Sequence, residues 1–126
     1  MKVIQSLLIL ALSAVALSCE KKAKKYKGTY IGVTTFDSEY MGEPPQFNSE
    51  GSYADTIMVI QAGKNFTCEK VTFPIKEVKE GSDMTFGIDN GHANIRFAND
   101  SLYYREYLSS GSGQIYNSTF AGKKVQ

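Results

Sequence analysis

Two thiols, one imidazole and a pair of loop carboxylates are the groups in this 126-residue chain from which chemistry could be built. They are Cys19, Cys68, His92, Glu39 and Glu43. A thiolate is a nucleophile and metal ligand, and an imidazole is a base or ligand near neutral pH. One histidine and one spare cysteine do not make a zinc site, which takes four ligands at short spacings. The segment Asp83 to Asp89 lacks the regular oxygen-ligand spacing of a calcium loop. Gly111-Ser112-Gly113 has no strand-to-helix context, so it reads as a flexible turn rather than a nucleophile elbow or phosphate loop. His92 follows Asn90-Gly91 at a hairpin and reads as a surface residue. No nucleophile–base pair is legible, so no catalytic residue, metal ligand or cofactor site is expected. A hydrolase would have to draw on Glu39 and Glu43.

Cys19 differs because of what precedes it. Lys2 is followed by a run from Val3 to Leu17 that only Gln5, Ser6 and Ser13 interrupt. A positive residue before a short apolar stretch is the pattern of an export signal. A membrane-spanning helix needs roughly 20 apolar residues, and this run ends sooner, in small residues and a cysteine. The chain therefore divides into a helical signal peptide (1–18), a lysine-rich segment opening on Cys19 (19–27) and one domain (28–126).

Ala16-Leu17-Ser18-Cys19 resembles the lipobox of bacterial lipoproteins, with Ala16 where that family prefers Leu. The resemblance implies cleavage between Ser18 and Cys19, a diacylglyceryl group on the Cys19 thiol and acylation of its new amino terminus. An ordinary signal peptide, cut near Ala16 or Ser18, would instead leave Cys19 as a free thiol. Two or more acyl chains hold a protein stably at a bilayer without a spanning segment. Assigning Cys19 to lipid leaves Cys68 without a disulfide partner. Its alternation with Phe66 reads as a small buried core residue, the alternative being a reactive thiol.

Charge is unevenly placed. Lys21, Lys22, Lys24, Lys25 and Lys27 follow Cys19 beside a single acid, Glu20. The domain from Gly28 onward holds eight basic and twelve acidic residues, a formal charge of −4. The lysine block reads as a solvated, flexible tether that also favours an anionic surface. An acidic domain lacks the basic face that phosphates require, so nucleic acid is excluded as a partner. In related lipoproteins an acidic stretch after the cysteine favours surface display. Its absence here points to an outer-membrane protein facing the periplasm.

From Gly28 onward the apolar period is two. Gly28 to Phe36 reads as a strand. Thr56 to Gln61 is apolar on both faces, as a central strand would be. Phe66 to Lys70 returns from the Ala62–Asn65 turn, and Val71–Phe73 and Ile75–Val78 flank Pro74 at an edge, bulge or break. Strands at Met84–Ile88 and Ala93–Phe97 meet at the tight-turn sequence Asp89-Asn90-Gly91. Ser101–Leu108 and Gln114–Phe120 complete about eight strands. Asp37 to Ser52 is the one long loop. The fold class is all-β: a small antiparallel meander forming a closed or partly open barrel, or alternatively a sandwich.

This layout resembles small lipocalin-like barrels. Gly28-Thr29-Tyr30 stands where that family has Gly-x-Trp, and Phe120-Ala121-Gly122-Lys123-Lys124 would close the sheet against it. Two functions follow as expectations. One is a non-enzymatic module binding an envelope protein or component, and the other is a carrier of a small apolar ligand. Tyr103 and Tyr107 should share one face of their strand and Tyr104 the other, sheet packing being the simplest use of all three. Asp55-Thr56-Ile57 and Asp100-Ser101-Leu102 resemble short O-glycosylation sites of exported proteins, with Thr56 and Ser101 as acceptors.

Overall fold

The computed structural model describes residues 18–40, 48–111 and 113–125. Residues 1–17, where most of the expected signal peptide falls, lie outside the described residues, as do Glu43 and Ser112. The described chain is one helix and eight antiparallel strands. Residues 18–26 form α1. The strands are β1 (Gly28–Tyr40), β2 (Ser49–Ala62), β3 (Asn65–Cys68), β4 (Val71–Pro74), β5 (Met84–Ile88), β6 (Gly91–Ala98), β7 (Ser101–Ser109) and β8 (Gln114–Lys124).

Their order in the sheet is β4-β3-β2-β1-β8-β7-β6-β5, so the chain's first and last strands are paired neighbours. The sheet curls into a nearly closed barrel whose single unsealed seam lies between β4 and β5. The closure of β1 on β8 is close. Gly32 faces Gly122, and a Cβ on Gly32 would collide with the Ala121 carbonyl oxygen. A Cβ on Gly122 would meet the Phe120 ring, so Gly122 makes room for it.

The seam follows from the sequence between Cys68 and Met84. Proline cannot donate to a ladder, and Pro74 ends β4. Ile75–Glu77 then forms a single 3-10 turn, where the alternation predicts strand through Val78. The β3–β4 hairpin lines the half of the barrel where β1 begins. β5 pairs with Gly91–Ile95 of β6, and no ladder hydrogen bonds join β4 to β5. Side chains bridge the gap: Phe73 and Phe86 stack with centroids 5.2 Å apart.

Two expectations about loops are corrected. The long loop expected over Asp37 to Ser52 is shorter, because β1 runs on to Tyr40 and β2 starts at Ser49, paired from Ser38↔Ser49 onward. The lysine-rich segment is not a flexible tether. Residues 18–26 are helical, and α1 buries Ala23 and Tyr26 at the end of the barrel from which β1 starts. The Tyr26 ring lies 4.9 Å from Phe97. The Tyr30 hydroxyl donates to the Tyr26 carbonyl at 2.7 Å, and Lys124 Nζ donates to the Lys24 and Lys25 carbonyls at 2.9 and 3.0 Å. A cation at a helix C-terminus satisfies carbonyls that have no helical partner. Lys22 Nζ donates to the Lys76 carbonyl and Lys25 pairs with Glu80, tying α1 to the segment that crosses the seam.

The core occupies the half of the barrel beneath α1. Tyr30, Phe66, Phe73, Phe97, Phe120, Ile75, Ile95 and Leu102 are fully buried there. Side chains of this size each contribute about 1.5–3 kcal/mol when withdrawn from water. Cys68 is among them as a free thiol, pushed up to about 12 by burial, which makes it a packing residue rather than a nucleophile.

Candidate functional site

Away from α1 the barrel interior turns polar, because inward positions of four strands carry oxygen-bearing side chains. Alternation along β7 sends Tyr104 and Glu106 inward with Leu102. Thr34 of β1 and Ser118 of β8 face inward beside them, and β2 adds Tyr53 and Asp55. The tight β3–β4 turn brings Glu69 and Lys70 to the rim. Glu69 has φ 52°, a left-handed conformation that costs a non-glycine residue about 1 kcal/mol. Together with Tyr116 these residues line a cleft of about 210 Å³.

Hydrogen bonds fix its geometry. The Tyr104 hydroxyl donates to Glu106 Oε1 at 2.7 Å, and Lys70 Nζ reaches Glu106 Oε2 at 3.2 Å. The Thr34 hydroxyl donates to Asp55 Oδ2 at 2.7 Å, and the Thr56 N–H donates to Asp55 Oδ1 at 2.8 Å. Burial, then the bond to Glu106, holds the Tyr104 phenol well above its ordinary range. Burial, reinforced by Asp55 and Glu106, raises the Glu69 carboxyl above the usual carboxylate value, with Lys70 opposing. The cleft thus sets three carboxylates against one ammonium. Asp55 and Glu106 each have both carboxylate oxygens engaged by other groups of the protein.

No family model matches the chain, nor does any curated protein or solved structure.

The residues singled out from sequence do not converge on this cleft. Cys19 sits on α1, partly exposed and not in a disulfide. His92 is exposed on β6, its ring stacked 5.2 Å from Tyr107. Glu39 is exposed near the end of β1. Tyr103 and Tyr107 lie on the outer face and Tyr104 on the inner one; Tyr103 carries the Arg96 guanidinium 4.5 Å from its ring centre. Thr56 faces outward within β2, and Ser101 opens β7 after the Asn99-Asp100 turn. Among the described residues no group of three or more His, Cys, Asp or Glu side chains has the geometry to hold a metal ion. The cleft residues were legible only in part. Glu106, two residues after Tyr104 in an alternating strand, is a charge at a core position. The meeting of Lys70, Asp55 and Thr34 with it depends on the β1–β8 closure.

Proposed function

We propose that this chain is a lipid-anchored cell-envelope lipoprotein, cleaved after Ser18 and acylated on Cys19, whose barrel is a non-enzymatic binding module. The observation that carries the reading is the seating of α1. Cys19 is free and partly exposed on a helix whose Ala23 and Tyr26 are buried in the barrel. A lipid on Cys19 would hold one end of the barrel against the outer membrane. The polar cleft, in the other half, would face the periplasm and an envelope protein or component there. The carrier of a small apolar ligand is the less favoured reading. Aromatic side chains fill the half nearer α1, and the cleft in the other half brings three carboxylates, a lysine and several hydroxyl groups beside Ile57 and Phe120.

Detergent-phase partitioning of wild type and Cys19→Ala from the native host tests this. Wild type is expected with the membranes and in the detergent phase, and the variant in the aqueous phase with an unchanged far-ultraviolet spectrum. A variant that stays membrane-bound, or a wild type that is water-soluble, would overturn the proposal.

A further inference from the structure

Ile57–Ile60 of β2 is apolar on both faces, yet only its inner face is buried. Ile57 and Val59 point into the core, whereas Met58 and Ile60 point outward and are 56% and 54% exposed. Nothing among the described residues covers them. They share a depression of about 490 Å³ with Lys24, Lys27, Thr29 and Lys124, and Val125, also 54% exposed, is hydrogen-bonded to Thr29 beside it. Apolar side chains ringed by lysines, on the flank of the helix that carries Cys19, combine two attractions to one surface.

We infer that this face docks on an anionic bilayer, with Met58, Ile60 and Val125 entering the headgroup boundary and Lys24 and Lys27 meeting lipid phosphates. The inference rests on the lipid anchor proposed above and adds an orientation to it. Charge complementarity selects the occupant. Among the described residues, Lys25 alone of the five lysines at 21–27 is ion-paired, and the carboxylates Asp55, Glu69 and Glu106 lie towards the opposite end. An anionic surface therefore attracts the α1 end and repels the cleft end. Lysine stems lie along apolar surface while their ammonium groups reach phosphates, as interfacial segments do.

The chain has no tryptophan, so one introduced residue is a clean reporter. Met58→Trp is compared with Ser52→Trp, on the same outward face of β2 and about 20 Å further along the strand. Both are made in the full-length lipoprotein, purified from membranes and reconstituted into phosphatidylcholine vesicles with or without phosphatidylglycerol, the acyl chains brominated. The docked orientation requires blue-shifted emission at position 58 and several-fold stronger quenching than at position 52, greatest with phosphatidylglycerol. Adding Lys24→Glu and Lys27→Glu should cut the quenching at 58 to the level at 52, with protein still floating on the vesicles. Equal quenching at both positions in floating protein overturns the docking and leaves the anchor standing. A concentration-dependent blue shift without quenching also overturns it, since a second copy then covers the face. A protein that bears no lipid refutes the anchor. In that case quenching at 58 on phosphatidylglycerol vesicles still supports the docking face, and its absence overturns it.

Discussion

The ring of Tyr26 in α1 packs 4.9 Å from the ring of Phe97 in β6, so the lysine-rich segment is part of the folded unit. Tyr26→Ala should lower stability by about 3 kcal/mol, the cost typical of deleting a buried aromatic ring. Chemical denaturation measures it. A midpoint equal to wild type would mean that α1 does not hold the barrel end.

Glu106 and Lys70 should respond unequally to truncation, although they form one ion pair. Lys70 is half-exposed, and an exposed cation contributes about 0–1 kcal/mol. Glu106 is buried and accepts from the Tyr104 hydroxyl. Glu106→Ala leaves that hydroxyl without its acceptor, a loss of about 1–3 kcal/mol. Denaturation midpoints of the two variants give the comparison, and equal losses would refute this account of the cleft.

Glu69 supplies a pH signature. Its carboxyl titrates higher in the folded protein than in the unfolded chain, so the ionised form weakens folding at neutral pH. Below the ordinary glutamate value of about 4.3 both states are protonated and the penalty is gone. Glu69→Gln should therefore raise the urea midpoint modestly at neutral pH and leave it unchanged in acid. The effect is small because the side chain remains largely in water. A midpoint lowered at neutral pH would reverse the sign argued here.

Thiol counting separates the two cysteines. Cys68 is fully buried and its thiol is pushed up to about 12, so it should resist thiol reagents until the protein unfolds. If the Cys19 sulfur is a thioether, protein from the native host gives no reactive thiol when folded and one in denaturant. Two thiols in denaturant would show Cys19 unmodified.

Strand content was readable because β-branched and aromatic residues alternate with polar ones, and Asn90 and Asn99 mark tight turns at positive φ. The β1–β8 closure was legible in outline. The Gly32–Gly122 contact behind it was not, since neither glycine shows alone what faces it. Residues 18–26 misled because their four lysines imply a solvated coil, whereas two residues, Ala23 and Tyr26, provide the apolar contact that seats the helix. Thr56 to Gln61 read as a central strand and β2 does lie between β3 and β1, but apolarity on both faces did not show that Met58 and Ile60 stay exposed. The cleft was the least legible feature. Its residues lie on separate strands and on the β3–β4 turn, and only the barrel's curvature brings them together.

Intact mass spectrometry of the protein extracted from membranes of its native host tests the central claim most directly. The expected mass is that of residues 19–126 carrying a diacylglyceryl group and an additional acyl chain, with the lipid located on Cys19 by fragmentation. A mass matching the unprocessed chain, or a processed chain without lipid, would contradict the account.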